Sequence, residues 1–163
     1  METTPTIHER LIQQLQAAGV SFRQVHHAPT LTSEDSARAR GEPLGCGAKA
    51  LLVKADGKFL LLVIPADRKL ASRLVKQSLG VKELRFASAE ELAALTGLPA
   101  GAVPPIGAPI LPFPLYADAA IGREFPHVAF NAGTREDSVI MAAADWERVF
   151  QPTRAVLTEA PPD

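Results

Sequence analysis

The sequence predicts a mixed α/β fold, a sheet with helices around it, and three observations carry that prediction. Helix and strand signals alternate along the chain without an internal repeat. Capping-box patterns stand at Thr6 with Glu9 and at Ser88 with Glu91, each ahead of an apolar-periodic run. The stretch AKALLVKADGKFLLLVIP holds two apolar runs around Asp56-Gly57, the dipeptide best suited to a tight hairpin turn. With 163 residues, 47% hydrophobic and 21% charged, the chain fits a single domain over 1–163, with a tail expected to fray from about residue 156.

Each element follows from its local chemistry. A helix is predicted over about 7–18, where Ile7, Leu11, Leu15 and Ala18 share a face and Gly19 ends the run. SFRQVHH reads as a short strand, and its adjacent His26 and His27 point to opposite faces. A second helix starts near Thr32 or Ser33, carries Glu34 and Asp35 in its first turn and stops at Gly41. The hairpin strands are expected to be central, because the second is apolar on both faces. Asp67 is expected to cap a helix through RKLASRLVKQSLG that buries Leu70, Leu74 and Val75, and Ser88 caps the next helix. PLYAD, HVAFNAG and SVIMAA read as three further strands and DWERVF as a last short helix.

Composition excludes several functions. No apolar run approaches the roughly 20 residues of a membrane span, and the first residues are charged where a signal peptide would be apolar, so a cytoplasmic protein without a membrane partner is expected. Cys46 is the sole cysteine, which rules out an internal disulfide, and with glycines on both sides it reads as a small half-buried side chain. A net charge of −1 lacks the basic excess of a protein that grips long phosphate backbones, and no helix-turn-helix pattern occurs, which argues against DNA. No nucleophile elbow, phosphate loop, dinucleotide fingerprint or zinc-protease motif is present, and the four histidines lack helical metal spacing. Neither a metal nor a cofactor is expected.

Three places remain as candidates, with His27 as a further candidate for the lining of a site. Lys49 follows GCG at the entrance of a strand that reads as buried, where an ammonium needs a partner; the alternative is a strand-end lysine that reaches to solvent. GLPAGAVPPIGAP has glycines at 101 and 107 between stiff prolines, so its N–H groups can serve as an oxyanion hole; the alternative is a connecting loop. HVAFNAG ends a strand in Asn131, Ala132 and Gly133, and an ordinary turn explains it equally well.

VHHAPTLTSEDSA, GAKALLV, TGLPAGAVPPIG and AFNAG, in that order, resemble the YbaK/EbsC family over about residues 8–150. These are free-standing relatives of the editing insertion domain of bacterial prolyl-tRNA synthetase, and the wording GAKAL and AFNAG is closest to the YeaK-like branch, associated with serine or threonine wrongly attached to tRNA. The resemblance implies a mixed α/β domain with a curved, barrel-like sheet. It implies hydrolysis of the ester joining a wrong amino acid to the 3′ adenosine of tRNA, with no cofactor. Mischarged tRNA is then the partner, and a synthetase or an elongation factor is a candidate protein partner. The family lysine falls on Lys49 and the family's G-x-x-x-P loop on Gly101, Ala102, Val103, Pro104 and Pro105, with Gly107 just beyond. The small polar residue and glycine of the late strand fall on Asn131 and Gly133. Some members carry serine at the position of Asn131 and aspartate near Ser138, differences that bear on pocket selectivity.

The implied chemistry needs little side-chain acid–base work, because the ester is already activated and its vicinal 2′-hydroxyl can help to place water. Lys49 would hold the phosphate or ribose end or polarise the ester, while loop N–H groups stabilise the oxyanion. Small side chains are the expected substrates, since a pocket rejects larger residues by overpacking. An Asn131 amide near the pocket would favour serine or threonine over alanine. The alternative is a non-catalytic module that captures aminoacyl-tRNA or an aminoacyl nucleotide.

Overall fold

The hairpin predicted around Asp56-Gly57 is the scaffold on which the other elements are hung. In this computed structural model, which describes residues 4–160, Asp56 and Gly57 have φ of 46° and 83°. A two-residue turn between right-twisted strands requires that pair of positive angles. Strands β2 (Ala48–Ala55) and β3 (Lys58–Pro65) therefore pair antiparallel from Ala55↔Lys58 out to Ala48↔Pro65. Strand β3 lies at the centre of a five-stranded sheet, order β4-β2-β3-β5-β8, and is buried from Leu60 to Pro65. Its period of two feeds two cores: Leu61 and Val63 face one, and Leu60, Leu62 and Ile64 the other.

Sequence and structure agree on β1 (Phe22–His26), β5 (Leu115–Asp118), β6 (His127–Asn131) and β7 (Asp137–Ala142). Strands β1, β7 and β6 form a separate antiparallel sheet in that order, and a single parallel bridge, Gly47↔Ala129, links it to the start of β2. The barrel-like sheet implied by the resemblance is thus replaced by two sheets, neither of them closed. Between them lies the larger core, which includes Leu11 and Leu15 of α1 (Ile7–Ala17) and Trp146 of α5 (Ala143–Phe150).

Helix termini follow their caps. Both capping boxes form, at Thr6–Glu9 for α1 and at Ser88–Glu91 for α4 (Ala89–Thr96). Helix α2 (Ser33–Arg40) starts on a Thr32 cap and stops at Gly41, φ 71°. Its buried face is unusual, because Ser36, Ala37 and Arg40 occupy it in place of large apolar residues. Helix α3 (Ser72–Leu79) departs from expectation: Asp67 does not cap it, its N-cap Ala71 makes no side-chain bond, and Leu70 bridges Thr158 in extended form. Of the three leucine and valine residues expected inside, only Val75 is fully buried, while Leu70 and Leu74 are half-buried.

Two strands, β4 (Leu84–Phe86) and β8 (Thr153–Ala155), are not foreseen. Three residues carry too little periodicity to be read, and pairing to β2 and β5 is what makes them strands. The tail also differs from expectation. Leu157 is fully buried, and the carboxylate of Asp118, itself 2% exposed, accepts the N–H groups of Leu157 (2.8 Å) and Thr158 (2.9 Å) and the Thr158 hydroxyl (3.0 Å). Buried N–H groups bound by a carboxylate hold this segment down to Thr158; residues 161–163 of the expected frayed tail lie outside the described residues. Leu157→Ala should accordingly cost about 2–5 kcal/mol of unfolding free energy, measured by denaturant titration. A change near zero would mean the segment is dispensable.

Candidate functional site

Strand β4 pairs only with Val53–Ala55, and Ala87 adds one N–H to Leu52 O, so the edge of β2 from Ala48 to Leu51 is uncovered. In a two-residue hairpin the residues flanking the turn bond to each other, so every second residue turns its peptide group outward. Ala50 is one of these, and its small side chain leaves room beside it. Against this edge opens a cleft of about 690 Å³, closed on its other sides by the start of α2, by the turn Ala100–Val103 and by Asn131 and Arg135.

The turn is gripped from one side. Ala100 O accepts from Arg135 Nε (2.9 Å) and Nη2 (2.6 Å), Gly101 O accepts from Asn131 Nδ2, and Ala102 O accepts from Gly133 N (3.0 Å). Three successive carbonyls therefore face the β6–β7 connection. A trans peptide holds each N–H opposite the preceding C=O, so the amides of Gly101, Ala102 and Val103 face away from it. Ala102 N–H returns to Pro99 O at 3.2 Å. Among the described residues no acceptor takes the Gly101 or Val103 N–H, and both residues line the cleft. Gly101 has φ of +86°, and a Cβ there would approach nothing closer than Arg135 Nε at 3.7 Å, so conformation, not space, is what requires glycine.

Beneath the turn lies Arg40, 8% exposed and held at the end of α2. Its Nε donates to Ser138 Oγ (2.9 Å) and its Nη2 to Asn131 Oδ1 (2.9 Å). Burial pushes the guanidinium pKa down to about 10, with nearby Cys46 and Glu42 working the other way, so it stays charged at neutral pH. His27 Nε2 lies 2.8 Å from Ser138 Oγ, and its Nδ1 lies 2.8 Å from Ala28 O. A carbonyl only accepts, so Nδ1 carries the hydrogen and, in the neutral ring, Nε2 receives the Ser138 proton.

Lys49, Gly101, Val103 and Asn131 thus come together at the cleft, while other expected residues do not. Ser138 sits below it, bonded to Arg40, and His27 lies further away, bonded to Ser138. Ala102 is fully buried behind the turn, and Gly133 packs so closely on α1 that a Cβ would lie 2.9 Å from His8 N. Pro105 and Gly107 belong to the core: Pro105 O accepts from Trp146 Nε1 at 2.8 Å, and Gly107 abuts Leu115. Asn131 is bonded by the protein at both ends of its amide, Oδ1 by Arg40 and Nδ2 to Gly101 O. Lys49 is exposed, not buried, because it lies on the uncovered part of β2. Arg40 is the residue that the sequence reading missed, for nothing in SARARG tells which arginine turns inward.

Charge at the cleft contrasts with the chain as a whole. Arg40, Lys49, Arg68, Lys69 and Arg135 line it against Glu34, whereas the net charge of the chain is −1. Elsewhere, Glu42, Cys46 and His127 bring ligand-type atoms within 4.8 Å of one another. There Glu42 accepts from Arg23 (2.7 Å) and lies 2.9 Å from His127 Nε2, and burial, then Glu42, push the Cys46 thiol up.

The mixed α/β fold is shared with solved structures. The crystal structure of a candidate trans-editing enzyme for prolyl tRNA synthetase superposes with a TM-score of 0.81 at 24% identity, over 97% of this chain and 100% of that one. The hypothetical protein APE2540 gives 0.81 at 26% identity, over 93% and 100%. The chain belongs to the aminoacyl-tRNA editing domain family, whose model matches residues 27–149. It is 37% identical over 150 residues to the multifunctional Ser/Thr-tRNA deacylase ProXp-y of Escherichia coli K12, with 89% of each chain covered. It is also 38% identical over 93 residues to the proline–tRNA ligase of Bacillus licheniformis, covering 56% of this chain and 16% of the ligase.

Exposure of Lys49 separates its stability role from any functional one. Lys49→Ala should shift the unfolding free energy by less than about 0.5 kcal/mol, as for other surface changes, and a thermal melt checks this.

Proposed function

We propose that this chain is a trans-editing deacylase, a single domain working in the cytoplasm, that hydrolyses the ester of serine or threonine, and of alanine less well, wrongly attached to tRNA. The observation that carries the reading is the pair of amides without acceptors among the described residues, Gly101 and Val103, on the wall of a cationic cleft. The relative named as a Ser/Thr-tRNA deacylase supports the substrate class.

Hydrolysis then proceeds by attack of water on the ester carbonyl carbon. The C–O3′ bond breaks, the proton passes to the ribose oxygen, and free amino acid and tRNA are released. Gly101 and Val103 N–H groups receive the negative charge that develops on the carbonyl oxygen, and fixed dipoles do so without reorganising. The vicinal 2′-hydroxyl of the ribose places the water. Lys49, exposed on the cleft wall, meets the phosphate or ribose of the terminal nucleotide, and Arg68 and Lys69 extend the same charge. Acyl groups of cognate size are refused by overpacking against the uncovered β2 edge and Val103. A synthetase or an elongation factor would deliver the tRNA.

Deacylation of Ser-, Thr-, Ala- and Pro-tRNA in parallel tests this reading. Ser- and Thr-tRNA should be cleaved fastest; tight binding of all four without cleavage would make the protein a capture module instead. Gly101→Ala isolates the mechanism, since its methyl group is unhindered but φ of +86° is disfavoured for alanine. Single-turnover cleavage should fall on the order of 10²-fold, as for loss of one oxyanion donor, while tRNA binding weakens far less. Equal losses of both would assign the turn to binding alone.

A further inference from the structure

We infer that Arg40 is a positioning residue that sets the geometry of the 100–103 turn through Asn131. The inference rests on the deacylase reading for its consequence in rate, though not for its structural content. An asparagine amide is nearly symmetric in shape, so only its partners decide which end is which. Arg40 offers donors alone and Gly101 O is an acceptor alone. Arg40 Nη2 at 2.9 Å therefore fixes Oδ1, and Nδ2 is left to hold the Gly101 carbonyl. The Nε bond to Ser138 Oγ fixes the guanidinium plane itself, and the 8% exposure of Arg40 leaves it few other rotamers.

The relay runs Arg40 to Asn131 to Gly101 O; the same peptide carries the Ala102 N–H, which bonds back to Pro99 O, and the peptides on either side carry the Gly101 and Val103 N–H groups. Reversing the Asn131 amide would set its oxygen against the Gly101 carbonyl oxygen, and the turn would have to move. Displacement of about 1 Å at a reacting centre costs on the order of 10²-fold in rate. Arg40 does not need to touch the ester to control it. Other groups facing the guanidinium, Ser138 and Asn131 by hydrogen bond and Glu42 by charge, with the neutral Cys46 thiol nearby, leave it without a bonded carboxylate among the described residues. Its orienting power is therefore spent on neutral acceptors.

The test compares Arg40→Met, which keeps the volume and removes every donor, with Arg40→Lys, which keeps the charge but gathers its donors on a single nitrogen. Arg40→Met should lower single-turnover cleavage of Ser-tRNA by about tenfold to a hundredfold, within the cost of such a displacement, with tRNA affinity changed less than about threefold and partial recovery in Arg40→Lys. In the Gly101→Ala background the same substitution should cost less than about threefold, because residues acting through one element are not additive. Full additivity, or a parental rate in Arg40→Met, overturns the inference. Amide 15N relaxation on the unliganded protein reads the relay without any substrate: the heteronuclear NOE at Gly101 and Val103 should fall in Arg40→Met. An unchanged NOE overturns the inference even if cleavage is lost, and a changed NOE in a protein that cleaves no aminoacyl-tRNA sustains it while removing the deacylase reading. If Arg40→Met fails to fold, Arg40→Lys carries the same comparison: its NOE at Gly101 and Val103 should fall below that of the parent, and an NOE equal to the parent's overturns the relay.

Discussion

Three consecutive carbonyls, those of Ala100, Gly101 and Ala102, are committed to one neighbouring segment, and the site depends on that constraint. An extended chain alternates its carbonyls and cannot do this. The positive φ of Gly101 breaks the alternation, and planarity of the peptide then sends the amides the other way. Every part of the fold near the turn serves to hold it. Trp146 bonds Pro105 from the core side, and Gly133 packs directly on the backbone of His8 at α1. His8 Nδ1, 2.7 Å from Ala132 O, ties the same connection to the helix.

Beneath that turn the fold keeps a cation whose bonded partners are neutral. Burying a charge is costly, and the cost falls only when hydrogen bonds replace water around it. Ser138 and Asn131 supply two such bonds, and the depressed pKa of Arg40 records that compensation is incomplete. A polar inner face on α2 is the sequence-level consequence, with Ser36 bonded to Thr30 and Arg40 turned inward. Apolar residues there would pack more easily and would leave Asn131 without the donor that orients it.

Local signals made most of the fold legible. Thr6, Ser88, Gly41 and the Asp56-Gly57 turn each act within a few residues of chain, and all form as expected. What could not be read depends on distant partners. β4 and β8 exist because β2 and β5 lie beside them, and Leu157 is buried because Asp118, 39 residues away, accepts its N–H. The site divides in the same manner. Gly101 and Lys49 stand out in the chain as a glycine among prolines and a charge on an apolar strand. Arg40 does not, since its role is defined by Ser138 and Asn131, more than 90 residues on.

Shortness of β4 has a second effect on the chemistry of the cleft. A sheet edge with free N–H and C=O groups invites pairing with another chain, and proteins blunt such edges with charge or keep them short. Here the exposed stretch of β2 is a few residues long and carries Lys49, so the residue that lines the cleft is also the one that discourages strand addition. The edge remains available to a small ligand because Ala48 and Ala50 present little bulk. A longer β4 would cover that edge, fill the cleft with backbone and leave the Gly101 and Val103 amides facing another strand. The strand that sequence patterning could not detect is therefore the one whose length keeps the cleft open.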